Sequence, residues 1–397
     1  SFAVRELGCE GGIVITASHN PKEYNGYKVY DNKGCQLVPH LIDQVIAEIN
    51  KIDDELAIEI NLSDNQQALI HWIDHEIDEI YIKRVLEIQN RPEMDKSNIN
   101  LVFTPQHGTA LIPVTEVFNK AGYPYVLVNE QCSFDPDFPN TKSPNPEEKV
   151  AYEKAIDLAR RVNADGVLST DPDADRVGIV VKHQNEYILL TGNQTGSILI
   201  EYLLKTKSQL NTLPKNPIIF NTVVTSDLGE KIANHYGVEV EKTLTGFKFI
   251  GEKIAKYEVT HEKNFVFGYE ESYGYLVEPF VRDKDAIQAC LLIAECMSYY
   301  KHQGLSLVDV LNDLYERFGY HHEDQVSLTL KGSEGSQKIK AILDHFRKSS
   351  IEEFSGIKVV GKEDYLLGEK TVNGIKSKLD FPTSDVIKYY LEDGTWL

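Results

Sequence analysis

The chain is short of positive charge: 41 Lys and Arg stand against 61 Asp and Glu, a formal net charge of −20 over 397 residues. That deficit argues against a nucleic-acid partner, whose phosphate backbone calls for clustered cations. Long apolar runs are lacking too. The best, Ala286 to Met297, is short and carries Gln288 and Glu295, so no membrane span is expected. Cysteine is sparse. Cys9, Cys35, Cys132, Cys290 and Cys296 are scattered, odd in number and without a CxxC pair, which predicts free thiols in a reducing cytoplasm. No low-complexity segment or short repeat is present. Nor does the chain open with Met: Ser1 leads into Phe2, Val4 and Leu7, and Trp396 and Leu397 close the other end. Both ends read as cuts through domains, which leaves the question of a signal peptide open.

Two hydrophobic periodicities alternate along the chain. Gly12 to Thr16, Leu101 to Thr104, Tyr125 to Val128, Gly166 to Ser169, Val177 to Val181, Ile218 to Val223 and Phe265 to Gly268 read as strands. Leu41 to Ile49, Leu69 to Tyr81 and Ala151 to Val162 carry helical spacing, with Ser226 as an N-cap and Gly237 as a helix stop. Such alternation predicts α/β layers over mixed or parallel sheets, and the length predicts two to four domains. Asn90 to Asn100 and Lys205 to Pro217 read as linkers. A third junction is expected near Tyr320 to Asp324, where alternating Val326, Leu328 and Leu330 suggest a new strand.

The most informative stretch is Asp171-Pro172-Asp173-Ala174-Asp175-Arg176. An extended backbone would aim its three carboxylates to one side. Two such charges about 6 Å apart repel by roughly 3 kcal/mol at an effective dielectric near 20, so a hard divalent cation with oxygen ligands is expected among them. A solvated acidic turn is the plain alternative. An EF-hand fits poorly, because Arg176 stands where its loop needs Gly and Lys182 where it needs Glu. A haloacid-dehalogenase-type phosphatase shares the Asp-x-Asp after a strand but not Asp175.

The second signal is Thr16-Ala17-Ser18-His19-Asn20-Pro21, followed by Tyr24-Asn25-Gly26-Tyr27-Lys28. Ser18 follows a strand in a turn ended by Pro21. His19 is its chain neighbour, and neighbours usually point apart, so no Ser–His pair is expected; the G-x-S-x-G elbow is also missing. Asn25-Gly26 reads as a tight turn that returns Lys28 toward Ser18. Alone, these residues equally suit an ordinary polar loop.

Together, in this order and far apart, the two segments resemble the phosphoserine loop and the Mg²⁺ loop of the α-D-phosphohexomutase superfamily. The resemblance runs over the whole chain. It implies a multidomain α/β fold: residues 1–95 the C-terminal part of domain I with the phosphoserine loop, 96–207 domain II with the Mg²⁺ loop, 208–322 domain III with a sugar loop, and 323–397 part of an α+β domain IV. Thr245-Gly246-Phe247-Lys248 is similar to a sugar-phosphate loop, and Gly268 to Gly274 to the sugar-specificity loop, whose Glu and Ser fall on Glu270 and Ser272. Tyr269 replaces that loop's usual Gly. Gln106-His107-Gly108 matches a loop lining the cleft, and Lys284 in Arg282-Asp283-Lys284-Asp285 a lysine near the reacting hydroxyl. His71 and His75, four apart on an expected helix, lack the HExxH glutamate and read as surface residues.

The resemblance implies an enzyme that interconverts hexose 1-phosphate and hexose 6-phosphate, with glucose as the leading sugar. Ser18 would rest phosphorylated, and Mg²⁺ would bind Asp171, Asp173, Asp175 and an oxygen on Ser18. Glucose 1,6-bisphosphate would be the activator and intermediate, and Lys28 the general base with a lowered pKa. His19, Arg176 and Lys284 would support catalysis; His107, Gly246, Lys248, Glu270, Ser272 and Arg282 would meet the substrate. Lys28, Arg176, Lys248, Arg282 and Lys284 would line one cleft and overcome the acidic field. Phosphomannomutase or phosphopentomutase activity is the alternative within the superfamily, and an inactive sugar-phosphate-binding fragment the alternative outside catalysis. The family's Arg-x-Ser-Gly-Thr phosphate loop does not occur before Leu397, so the polypeptide as given is expected to be a poor catalyst. Its oligomeric state is not readable from the residues.

Overall fold

The computed structural model describes residues 1–397 apart from Pro21, Glu59, Asp74, Thr329 and Lys331; Pro21, expected to end the serine turn, lies outside the described residues. The chain divides into two compact units, Ser1–His321 and His322–Leu397.

After a short helix, Phe2–Glu6, the first unit forms an antiparallel hairpin, β1 (Gly11–Ile15) and β2 (Tyr27–Asp31), in which Val14 faces Lys28 and Ile15 faces Tyr27. Next comes a sheet of β3 (Leu101–Thr104), β4 (Tyr125–Leu127), β5 (Gly166–Thr170), β6 (Val177–His183) and β7 (Glu186–Leu189), in the order β4-β3-β5-β6-β7. β4, β3 and β5 run parallel, and β6 and β7 turn antiparallel. Strand alternation sorts its core. Leu101, Phe103, Leu168 and Ile179 join the large core with helix Ala286–Lys301, whereas Val102, Val167 and Val180 face helix Glu153–Val162. A third sheet has the order β11-β10-β8-β9, from β8 (Pro217–Thr222), β9 (Glu239–Thr243), β10 (Asn264–Glu270) and β11 (Gly274–Leu276). It shares the large core through Ile219, Phe220 and Phe267. Both larger sheets have helices between their strands, as the alternating periodicities predict.

The second unit pairs helix Gly332–Lys348 with a sheet of β12 (Glu353–Phe354), β13 (Ile357–Asp364), β14 (Glu369–Val372), β15 (Ile375–Lys378) and β16 (Ile387–Leu391), in the order β12-β13-β14-β15, with β16 also paired to β13. The Tyr389 hydroxyl donates to Phe346 O at 2.7 Å, pinning that helix to β16.

Several local expectations need correction. The helix expected over Leu69 to Tyr81 begins at His75, so His71 lies outside it; both histidines are exposed. The expected linker Lys205 to Pro217 begins inside helix Gly192–Leu210, whose start is secured by a capping box between Thr191 and Gln194. Ser226 is not the N-cap; Asp227 is. No strand forms over the described residues of 322–330, because that segment finds no strand to pair with: Val326 and Leu328 stand exposed. Cys9, Cys35, Cys132, Cys290 and Cys296 are unbonded. Among the described residues, no helix is long and apolar enough to cross a membrane.

Candidate functional site

The His107, acidic and Glu270 loops lie at the ends of β3, β5 and β10, each paired in parallel with a neighbour, which is where open α/β sheets place ligands, whereas Ser18 and Lys28 come from the antiparallel β1–β2 hairpin. The acidic loop connects β5 to β6. It is not extended, as the sequence suggested. Ala174 has φ 61°, its N–H bonds back to Asp171 O at 3.1 Å, and Asp171 N donates to Arg176 O at 3.2 Å. The carboxylates converge because the chain turns tightly, and one oxygen from each of Asp171, Asp173 and Asp175 lies within 4.8 Å of the others.

Ser18 meets this trio. Its Oγ lies 3.1 Å from Asp171 Oδ2 and 3.0 Å from Asp173 Oδ1. His19 Nδ1 is 3.2 Å away as well, contrary to the expectation that neighbours point apart. The reason is the backbone: Ser18 has φ 54°, a left-handed kink that turns consecutive side chains the same way. Thr16 holds the kink. Its Oγ1 accepts from Ser18 N at 2.8 Å and donates to Asp173 Oδ2 at 3.2 Å.

Asn25-Gly26 is not the tight turn either. Gly26 O accepts from Thr16 N at 3.1 Å, and Gly26 is needed because a Cβ there would overlap the Thr16 carbonyl. Lys28 nevertheless reaches the site from β2, with Nζ 3.2 Å from Asp173 Oδ2 and 3.0 Å from Asp175 Oδ2.

Charge in the cluster is unevenly settled. Asp171 Oδ1 accepts from Asp175 N and Arg176 N, both at 3.0 Å. Burial, then the neighbouring Asp175 and Asp173, push its carboxyl well above the usual range. Burial raises Asp175 too, but Lys284, Lys28 and Arg176 overcome it and hold that carboxyl below its ordinary value. Burial lowers Lys28; Asp175 and Asp173 outweigh it and raise the ammonium above its ordinary value. A base with a lowered pKa is therefore not what this setting makes of Lys28. His19 moves the other way, lowered to about 4 by burial and by Arg176, so its imidazole is neutral at pH 7. Arg176 donates to Glu147 Oε1 at 2.7 Å.

The acidic loop can hold a metal ion. Asp175 Oδ1 is buried and finds no hydrogen-bond partner, and Asp171 Oδ2 and Asp173 Oδ1 both face a serine with one proton to give. The donor set is all oxygen, which suits a hard cation such as Mg²⁺.

Neighbouring loops brace or flank this centre. His107 donates from Nδ1 to Ser133 O at 2.8 Å and accepts Asn140 N at Nε2, 3.3 Å away, so both ring nitrogens are used. Its loop supports the acidic loop rather than offering a free imidazole: Thr109 N donates to Pro172 O at 2.9 Å, and Gly108 is pressed against Pro172. Glu270 Oε1 accepts from Gly246 N at 2.8 Å, joining two expected sugar loops. Burial raises the Glu270 carboxyl, with Lys284 opposing. Ser272 is half-buried. Lys248 sets its ammonium 5.4 Å from the Phe249 ring. Lys284 Nζ is 3.2 Å from Asp175 Oδ2. An antiparallel bridge between Arg176 and Gly274 ties the acidic loop to the expected sugar loop, with Val177 N donating to Tyr273 O at 3.1 Å. Arg282 does not join the cations at the serine. It is 1% exposed and turned toward Glu258, 2.5 Å away, and the Pro279 carbonyl.

Sequence reasoning missed Thr16, Tyr30, Glu147 and Asp283. Only Thr16 left a legible trace, as a hydroxyl residue two positions before Ser18, the spacing of a side chain that caps its own turn.

Fold and site define a class: a multidomain α/β protein that presents one serine to a carboxylate trio suited to a metal. Comparisons with known proteins agree. Family models for phosphoglucomutase/phosphomannomutase α/β/α domains I, II and III match residues 1–56, 79–184 and 191–318. A phosphoglucomutase of Staphylococcus aureus (strain MRSA252) is 38% identical over 99% of this chain and 71% of its own length. In fold, the chain resembles a phosphoglucomutase/phosphomannomutase family protein of Burkholderia thailandensis, with TM-score 0.60, 17% identity and coverage of 93% and 72% of the two chains. It also resembles the N-acetylphosphoglucosamine mutase of Aspergillus fumigatus in complex with GlcNAc-6P and magnesium, with TM-score 0.50, 15% identity and coverage of 79% and 74%. The chain belongs to the phosphoglucomutase/phosphomannomutase family, whose members are phosphomutases.

Proposed function

We propose that the chain interconverts glucose 1-phosphate and glucose 6-phosphate through phosphorylated Ser18, with glucose 1,6-bisphosphate formed between the two half-reactions. The observation that carries this reading is the Ser18 Oγ held 3.1 and 3.0 Å from two carboxylate oxygens by a left-handed kink. Two carboxylates around a bare hydroxyl are an odd environment for a structural serine. Around a serine that carries a phosphoryl group, they are the ligands a bridging cation requires.

Asp171, Asp173 and Asp175 would hold Mg²⁺ together with an oxygen on Ser18, and the magnesium in the Aspergillus complex supports that choice of ion. When bound, Mg²⁺ supplies positive charge to the oxygens of the transferring group. Lys28 and Lys284 flank Asp175 as ammonium groups and add positive charge from the protein side. Neutral His19, 3.2 Å from Oγ, can accept the serine proton when Ser18 takes up phosphate. Glu270, oriented by Gly246 N, and Ser272 would accept from sugar hydroxyls. The identity to staphylococcal phosphoglucomutases favours glucose over mannose or pentose.

An aspartyl-phosphate phosphatase is the rival. Both its Asp171 oxygens are already occupied, one by two amides and the other by Ser18. Incubation with glucose 1,6-bisphosphate and Mg²⁺, followed by peptide mass spectrometry, separates the two. Phosphate on Ser18 that Ser18→Ala abolishes is the expected result. Labelling that persists in Ser18→Ala sinks the proposal. A panel of glucose, mannose and pentose 1-phosphates then tests the sugar.

A further inference from the structure

Lys284 is not placed by its own rotamer alone. Its stem crosses Gly274 so closely that a Cβ there would meet Lys284 Cγ at 2.7 Å. Its ammonium donates to Asp283 Oδ1 at 3.2 Å and lies 3.2 Å from Asp175 Oδ2. Asp283 is itself fixed: Oδ1 also accepts Lys284 N at 2.9 Å, and Oδ2 accepts the Tyr30 hydroxyl at 2.7 Å. Tyr30 and Asp283 are each 6% exposed. Tyr30 stands two residues after Lys28 on β2, so both side chains leave the same strand face. One face of a short hairpin thus sends a cation directly to Asp175 and a phenol to the residue that aims the second cation at Asp175. An ammonium has three donors. Asp283 accepts one, Asp175 Oδ2 lies in ion-pair range at 3.2 Å, and beyond these, among the described residues, the ammonium faces the Phe247 ring, whose centre is 5.7 Å away.

We infer that Asp283, braced by Tyr30, is a positioning residue that aims the remaining N–H of Lys284 at an oxygen of the reacting group. The inference rests on the phosphomutase reading of the site. It predicts that Tyr30 and Asp283 matter to the reaction only through Lys284. Freed of Asp283, the four-carbon stem can carry the ammonium away from its working position, and displacements of about 1 Å can cost up to roughly a hundredfold in rate.

The test is a double-mutant cycle read on the rate of Ser18 phosphorylation by glucose 1,6-bisphosphate with Mg²⁺. Asp283→Asn should slow phosphorylation about tenfold at saturating bisphosphate and leave the half-saturating concentration within about twofold. On a Lys284→Met background, Asp283→Asn should slow it no further, because the residue it positions is gone. Tyr30→Phe, which removes one oxygen, should act in the same direction more weakly, and it carries the test if Asp283→Asn does not fold. A purely structural role would lower thermal stability and multiply with Lys284→Met. Effects that multiply in this way, or variants as fast as the parent, overturn the inference while the parent's phospho-Ser18 leaves the functional reading standing. A parent chain that never takes phosphate on Ser18 overturns both.

Discussion

Gly26→Ala places a methyl group against the Thr16 carbonyl. The overlap is deep enough that the Thr16–Ala17 backbone must withdraw by roughly 1 Å before carbon and oxygen reach an allowed contact. Withdrawal stretches the hydrogen bond from Thr16 N to Gly26 O, now 3.1 Å, a loss of about 1 kcal/mol. The larger effect is on geometry. Thr16 Oγ1 holds both Ser18 N and Asp173 Oδ2, so the displacement reaches the serine and one carboxylate together. A misplacement of this size costs up to about a hundredfold in a positioned reaction. The assay is the initial rate of Ser18 phosphorylation by glucose 1,6-bisphosphate and Mg²⁺, followed by intact mass. Gly12→Ala on the same hairpin is the control: its Cβ would meet the Val4 Cγ2 methyl at 2.5 Å, far from Thr16, and should lower stability without a comparable fall in rate. A Gly26→Ala chain phosphorylated as fast as the parent would refute the claim that hairpin and serine loop are rigidly joined.

Two further outcomes are expected. Because the Asp171 carboxyl is raised, the metal-free fold binds its proton more tightly than the unfolded chain does, so this group's contribution falls as pH rises above 3.8. Asp171→Asn should therefore raise the melting temperature of metal-free protein at pH 7 and abolish the gain on adding Mg²⁺, a gain of about 2.7 kcal/mol at a hundredfold excess over Kd in the parent; an unchanged Mg²⁺ response would count against the trio as the metal site. His19, lowered from 6.5 to about 4, gives the opposite slope: the unfolded chain takes up its proton first, so stability falls as pH drops through that window. Denaturation of His19→Ala between pH 4 and 7 should show a shallower fall than the parent, and parallel curves would reject the lowered value.

The layered α/β fold was legible because buried strands and amphipathic helices leave different periods. The acidic loop stood out because three carboxylates in five residues concentrate like charge whatever the backbone does. Features that depend on one dihedral angle were not legible. The Ser18–His19 contact follows from a positive φ at a serine, which no spacing announces, and Gly26 serves a close approach that resembles a turn in one dimension. Arg282 looked like one more cation of the cleft beside Lys284. The two side chains part company, and Glu258, in the helix before β10, captures the arginine. Val326 to Leu330 carries a strand's alternation, yet pairing is a property of two segments, and only one was on view.

The backbone bridge between Arg176 and Gly274 also bears on how this chain can change over evolutionary time. It locks the carboxylate loop and the loop of Glu270 to Gly274 at one relative height, with Lys284 laid across the joint. An inserted or deleted residue between Glu270 and Gly274 would shift Glu270, the bridge and the lysine in a single event. Exchange stays open at half-buried Ser272, whereas Tyr269 is fully buried against Phe267, so change in this loop proceeds by substitution at its unburied positions.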